Sequence, residues 1–329
     1  FSEAGMVLNT ESHGAMVFLA VWSIWIARRH LKRVWRQVRT GAGHPNETRL
    51  YRFALIGLLV SGIYATAWAV SIGVSLPMAI ATMVLMTISY LVTVKLVAAS
   101  GCAYIFPNRP YLKGETFVLE LIGSTYISPQ RLVPYKMFTS YALLGRFIIP
   151  VLPAIPHHLR IFSIGRQPGW VLLTVLVAFV VAFAVAVWAS LDLAYSEGRD
   201  VGDRRDFFMG VSYLAENPLT PNLGKWLLWL TGFGEGALIT LLRARFHWFP
   251  IHPIGLVFQY THATFHYWNN FLIVFVIKLI LLRYGGVNAY LAGKPFFYGL
   301  GVGYTVGVLL STIVDFVWFP MAGHHVHGW

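Results

Sequence analysis

The chain has 329 residues, of which 57% are hydrophobic and only 12% are charged. That charged share is about half of what a soluble domain carries, and one core could not bury so much apolar surface. The composition therefore excludes a disordered chain and a typical cytosolic enzyme. It also excludes a disulfide scaffold, because Cys102 is the single cysteine. The net charge of +12 is concentrated between apolar runs, a pattern that favours loops facing an anionic leaflet over nucleic-acid binding.

The first third of the chain contains three apolar runs long enough to be membrane helices. They cover residues 13–27, 53–75 and 77–99, and the second and third are separated by a tight turn. A basic run begins at Arg28 and closes the first helix. The sequence thus predicts one span, a long basic loop over 28–52, and a helical hairpin.

Residues 100–168 carry a mixed signal. Residues 115–122 fit a short interfacial helix. Residues 136–152 are apolar but contain Arg146 and end in prolines, which leaves either a span or a re-entrant segment. Arg146 is a candidate counter-charge within the membrane.

The remaining spans are predicted over residues 169–322. Residues 170–193, 225–242 and 296–319 each form an apolar run, while the polar stretch 194–224 is interpreted as an exposed loop. Residues 254–282 form either one long tilted helix or a hairpin that turns at Asn269-Asn270. A histidine-rich tail follows at 323–329.

These runs predict an all-α integral membrane protein, a polytopic helical bundle of about six to eight transmembrane helices. Six spans and two re-entrant hairpins satisfy the positive-inside rule better than eight spans. This arrangement places both termini outside a bacterial cytoplasmic (inner) membrane. The expected partner of the protein is the lipid bilayer, and no nucleic-acid partner is expected.

Glu235 is the most informative acidic residue because it lies in Gly232-Phe233-Gly234-Glu235-Gly236, within an apolar run. A carboxylate at membrane depth is costly unless it is protonated, paired or hydrated. The neighbouring glycines permit either close helix packing or local unwinding. Glu235 is therefore a candidate for proton coupling or substrate contact, with Arg146 and Asp315 as further candidates. Its alternative is a structural acid paired with Arg146 or Lys278.

His262 and His266 are candidate ligands, because a spacing of four places two imidazoles on one helix face. They could bind a metal, haem or pigment, or they could simply line a wet cavity. A metalloenzyme would need a third ligand such as His252 or His247. The tail histidines His324, His325 and His327 could also bind a divalent metal or be solvated.

Three motifs occur in one order along the chain. They are Ala27-Arg28-Arg29-His30-Leu31, then His252-Pro253-Ile254-Gly255, then Leu282-Arg283-Tyr284-Gly285-Gly286. Taken alone, the second motif fits a helix start and the third a glycine-capped helix end. Together they resemble the C-terminal half of an uncharacterised bacterial multi-pass membrane family that is similar to the oligopeptide transporters. The resemblance implies a transporter bundle with broken helices around a central site.

The chain departs from that family in two ways. It lacks a preceding half, which could be a separate partner, and it has Ala99 where the resemblance implies a glutamate. The expected function is proton-coupled secondary transport of peptide-like or other small polar solutes. The alternative is a non-transporting accessory subunit of a membrane redox or pigment complex.

Overall fold

The computed structural model describes residues 2–100, 118–119, 121–139, 168–197, 204–259 and 262–319. All regular elements within these ranges are helical, and we number them in chain order. The helices are α1 (Ser2–Thr40), α2 (Pro45–Ser71), α3 (Leu76–Ser100), α4 (Pro129–Met137), α5 (Pro168–Glu197), α6 (Arg204–Glu216), α7 (Leu223–Arg245), α8 (Ile254–Phe258), α9 (His262–Ile280) and α10 (Gly286–Trp318), with a π-helical turn (Leu281–Gly285) between the last two.

Among the described residues, five helical runs are long and apolar enough to cross a membrane. They are α2, Leu76–Ala99 of α3, Leu173–Ser196 of α5, α7, and the run Tyr267–Asp315 that includes most of α9 and α10. The predicted class, an all-α polytopic membrane protein, is confirmed. The large apolar side chains exposed along these helices are what a lipid environment requires.

The chain divides into two compact units, Phe1–His266 and Tyr267–Trp329. In the first unit α1 and α7 pack side by side and run parallel, because their contacts advance together along both helices. Gly14 lies against Trp229, and four residues later Phe18 lies against Phe233 and Gly236. A core forms where α3 and α8 pack beside this pair; it contains Ala15, Met16, Phe18, Leu19, Ala20, Val92, Leu96, Val97 and Val257.

The basic ends of several helices meet at one end of the first unit. Gln37 Nε2 donates to Thr48 Oγ1 (3.0 Å), and Arg52 Nε donates to the Val38 carbonyl (3.0 Å), which joins α1 to α2. The Lys95 ammonium of α3 donates to Ser23 Oγ of α1. The charge pattern predicted that the ends of α1 and α3 share one side, and the packing agrees.

A second core lies at the turn between α2 and α3, where α4 and α6 cover it. Thr82 Oγ1 and Tyr135 Oη are 3.1 Å apart within it. Its buried members are Ala69, Val74, Ala79, Val118, Leu119, Ile127, Leu132, Tyr135, Phe138, Phe207, Val211 and Leu214. The predicted loop over 194–224 is therefore wrong: α5 continues to Glu197, and the amphipathic helix α6 buries its apolar face here.

Two other predicted boundaries are wrong. The basic stretch that was expected to be a long loop is the second half of α1, which continues to Thr40 and leaves only four residues before α2. Arg and Lys are good helix formers, so leaving the apolar region does not end a helix. Residues 254–282 do not turn at Asn269-Asn270, because α9 runs through both.

In the second unit, α9 is followed by the π-helical turn and by α10, which begins ten residues before the predicted span at Phe296. Gly286 separates the two helices with a φ of 65°, a conformation that favours glycine. The Tyr290 ring lies between two ammonium groups, Lys278 at 5.1 Å and Lys294 at 5.5 Å from its centroid.

Candidate polar site at a helix crossing

The crossing of α1 and α7 is unusually close because glycine lies on both helices. A Cβ built on Gly232 would overlap the Glu11 carbonyl oxygen, and one built on Gly14 would overlap the Trp229 carbonyl oxygen. Gly236 likewise leaves room for the Phe18 ring, 2.9 Å from where its Cβ would be. Close packing through small residues is a characteristic way for membrane helices to associate. Of the two roles predicted for these glycines, close packing is the one the continuous helix α7 displays.

Five consecutive polar residues of α1, Asn9 to His13, lie at the level of this crossing. Four of them, Asn9, Thr10, Ser12 and His13, are at least 90% buried, although they lie on a helix that packs against a candidate membrane span. Buried polar groups are costly unless they are hydrogen-bonded. The polar run therefore places several polar side chains in the protein interior, where each needs a hydrogen-bond partner.

Glu11, the fifth member, connects three helical segments. Its carboxyl group lies close enough to the carboxyl group of Glu235 on α7 for the two groups to interact. Gln259, which directly follows α8, donates from Nε2 to Glu11 Oε2 and to the Leu8 carbonyl, both at 3.3 Å. Two carboxyl groups this close repel each other when both are ionised, so a proton on either one stabilises the pair.

His13 supplies a second specific contact across the crossing. Its Nδ1 accepts a hydrogen bond from Trp229 Nε1 at 3.1 Å. An imidazole nitrogen that accepts carries no proton, so the imidazole is neutral with its proton on Nε2. This bond fixes the rotation of α1 relative to α7 one turn from the carboxyl pair.

The polar run also contains buried oxygen atoms that make no hydrogen bond within the described part of the chain. These atoms are Asn9 Oδ1 and Ser12 Oγ. Since most buried polar atoms have a partner, these two oxygens are suited to a polar ligand or water. Together, Asn9, Glu11, Ser12, His13 and Glu235 form what we call the crossing site.

The other predicted residues lie elsewhere. Arg146 and the tail histidines are outside the described residues, so the predicted pairing with Arg146 stays a prediction. Asp315 is half-buried near the end of α10, where its carbonyl accepts from the Phe319 amide. It belongs to the second unit, whereas Glu235 belongs to the first.

His262 and His266 occupy the first two turns of α9, four residues apart as predicted, but their side chains are not among the described ones. Within the described ranges no group of three or more His, Cys, Asp or Glu is arranged to hold a metal ion. The metal, haem or pigment roles predicted for these two histidines stay predictions.

The residues of the second and third motifs lie where helical segments begin and end. His252 Nδ1 accepts from the Ile254 amide at 3.1 Å, and α8 begins directly after Pro253, as a helix-start motif should. In the third motif, Arg283, Tyr284 and Gly285 lie in the π-helical turn, and Gly286 ends it. A helical segment does end at Gly286, with φ 65° and ψ −169° rather than the left-handed helical geometry of a glycine cap. Gly255 has open space around its Cα.

Sequence reasoning identified Glu235 but missed its partner. Glu11 was taken as part of the leading segment because the first apolar run starts at residue 13. A signal was available: Asn9-Thr10-Glu11-Ser12-His13 is a compact polar run directly before an apolar one. What no local pattern could indicate is which distant helix covers it.

The fold and the crossing site define a polytopic α-helical membrane protein with a buried polar contact between two helices. The chain belongs to DUF6785, a family of unknown function, which it matches over residues 2–326. No curated protein and no solved structure matches it. The family match spans nearly the whole chain. It provides no link to the oligopeptide transporters.

Proposed function

We propose that this protein is a secondary transporter that moves small polar solutes, peptide-like ones among them, in exchange for or together with protons. It would act in a bacterial cytoplasmic membrane with both termini outside. The observation that carries the proposal is the Glu11–Glu235 carboxyl pair at the glycine crossing of α1 and α7. In this proposal the pair is the proton-carrying group.

Four features of the crossing site support this role. Ionisable residues in membrane segments are rare and commonly belong to ion or proton pathways. A carboxyl pair can release and rebind one proton without a metal or cofactor. The unpartnered oxygens of Asn9 and Ser12 lie on the same helix as Glu11 and offer acceptors for the donors of a polar solute. Helices that meet through glycine can also change their contact with little side-chain rearrangement.

The experiment is proton-coupled uptake into liposomes. The full chain is reconstituted with a pH-sensitive dye inside, and a panel of di- and tripeptides is added outside under an inward proton gradient. The wild type should acidify the interior when a transported peptide is added. Glu235→Gln keeps the size of the side chain but removes the proton site, so peptide-dependent acidification should fall to the level of empty liposomes.

Glu216→Gln is the matched control, because Glu216 is an exposed glutamate at the end of α6, away from the crossing. It should transport like the wild type. Full activity in Glu235→Gln would refute the proton-carrying role. The absence of uptake of any peptide by the wild type would count against peptide-like substrates.

The alternative is a non-transporting accessory subunit of a membrane redox or pigment complex. Its specific support is Ala99, which stands where the family resemblance implies an acid. Purification from native membranes in mild detergent separates the two proposals. A colourless preparation of this chain alone, or with a second helical half, favours transport. A stoichiometric, coloured complex with unrelated subunits favours the accessory role and would direct attention to His262 and His266.

A further inference from the structure

A cavity of about 290 Å³ lies at the basic end of the first unit, apart from the crossing site. It is bounded by α1, the last turns of α3 and α7, and the segment that begins α8. Its volume is near the lower end of the range of ligand cavities, about 300–1,000 Å³. It therefore suits a headgroup-sized ligand or part of a larger molecule.

The cavity has walls of two kinds. Side chains of α1 and α3 make it apolar on one side, with Leu19, Trp22, Val92 and Leu96 among them. Such a wall excludes water from whatever lies against it, which strengthens electrostatic contacts within the cavity. The apolar surface also favours a ligand that has an apolar part, because that part is removed from water there.

The lining of this cavity also carries positive charge. Lys95 of α3 and Arg243 of α7 line the cavity, together with Thr240 and His252. Ser23 Oγ accepts a hydrogen bond from Lys95, which holds the ammonium beside α1. Two cations on separate helices that converge on one cavity form a site for an anion with more than one oxygen, such as a phosphate.

No acidic residue is among the described residues that line this cavity. The position where the family resemblance implies a glutamate is Ala99, and Ala99 itself lies in the lining. A glutamate here would compete with an external anion for the two cations. With alanine, both positive charges are available to a ligand.

We propose that this cavity binds the phosphate of an anionic phospholipid, with the glycerol and the first part of an acyl chain against the apolar wall. The cavity lies where apolar helix segments give way to basic ones, since Ile26 lines it and Arg28 begins the basic half of α1. At that depth a phospholipid presents its phosphate beside its hydrocarbon. A juxtamembrane concentration of Lys and Arg also attracts anionic lipids.

The test is a lipid titration of the purified full chain in an uncharged detergent, followed by native mass spectrometry. Phosphatidylglycerol should bind at a discrete stoichiometry, and phosphatidylcholine should bind more weakly. Lys95→Gln and Arg243→Gln should each weaken phosphatidylglycerol binding about tenfold, as expected for the loss of a hydrogen bond to a charged group. Arg245→Gln, two residues further on α7 and outside the cavity lining, should leave it unchanged.

A second pair of variants tests charge at constant size. Ala99→Glu should weaken phosphatidylglycerol binding strongly, while Ala99→Gln should not. Ala99 is exposed, so both side chains can be accommodated without disturbing a core. This pair stays decisive even if a Lys95 or Arg243 variant fails to fold.

Glycerol 1-phosphate distinguishes a lipid from a soluble phosphate compound. If it binds as tightly as phosphatidylglycerol, the apolar wall contributes nothing and the lipid proposal is overturned. Equal binding of the two phospholipids would also overturn it, as would unchanged binding in Lys95→Gln and Arg243→Gln. Weak binding of glycerol 1-phosphate together with the tenfold losses would support it.

Discussion

Gly232→Ala tests the close crossing of α1 and α7 most directly. The new methyl carbon would lie 2.6 Å from the Glu11 carbonyl carbon and 2.8 Å from its Cα, while ordinary contact begins near 3.4 Å. The obstacle is backbone, which no side-chain rotation can relieve. The two helices must therefore move apart by about 0.8 Å or more.

The magnitude follows from two opposing terms. Overpacking a well-packed contact costs about 1–3 kcal/mol, whereas replacing a helical glycine by alanine contributes about 1 kcal/mol in favour of the helix. Because the clash is with backbone, we expect the upper part of the first range and a net loss of about 1–2 kcal/mol. The measurement is thermal unfolding of the purified chain in detergent.

Gly234→Ala is the matched control, since Gly234 lies two residues along the same helix and has nothing within 4 Å of its Cβ position. Only the helix-propensity term applies there, so this variant should be neutral or more stable by up to about 1 kcal/mol. The two substitutions should thus shift the melting temperature in opposite directions. Equal shifts would refute the close crossing, because they would mean that Gly232 is as open as Gly234.

Two further predictions concern buried hydrogen bonds. Trp229→Phe leaves the enclosed His13 Nδ1 without its donor and should lower the free energy of unfolding by about 1–3 kcal/mol; thermal unfolding in detergent would show a lower melting temperature, and an unchanged one would contradict the contact. In the core under α4, a double-mutant cycle of Thr82→Val and Tyr135→Phe should give a coupling energy of about 0.5–1.5 kcal/mol. Strict additivity of the two losses would show that these hydroxyls do not interact.

Five of the predicted spans overlap candidate membrane helices, whereas the span predicted at residues 13–27 is not among those candidates. Several helix ends could not be predicted. Apolar runs report the part of a helix that lies in hydrocarbon, and a helix can continue beyond it. The basic half of α1 shows this, because nothing between Arg28 and Thr40 disfavours helix. Helix α6, in contrast, was predicted as part of a loop because of the acidic residues around it. Its buried Phe207, Val211 and Leu214 nevertheless follow helical spacing.

Of the five residues of the crossing site, only Glu235 could be predicted. Glu235 stands out because a lone carboxylate among glycines in an apolar run has few structural explanations. Glu11 and His13 do not stand out, since polar residues just before an apolar run are ordinary at a membrane interface. Only the parallel packing of α1 on α7 brings them to Glu235 and Trp229, and that contact joins opposite ends of the sequence.

The glycine crossing and the carboxyl pair depend on the same residue. Glu11 places its backbone against Gly232 and its carboxyl group near Glu235, so in the proposed function a change in the protonation of this pair would act on the helix contact itself. A proton-coupled transporter requires such a link between protonation and helix arrangement. Two variants separate these parts: Gly232→Ala alters the helix distance and leaves both carboxyl groups, while Glu235→Gln removes one carboxyl group and leaves the glycine contact. If protonation and the crossing are linked as proposed, each variant should abolish peptide-driven acidification, and only Gly232→Ala should also lower stability through a backbone clash.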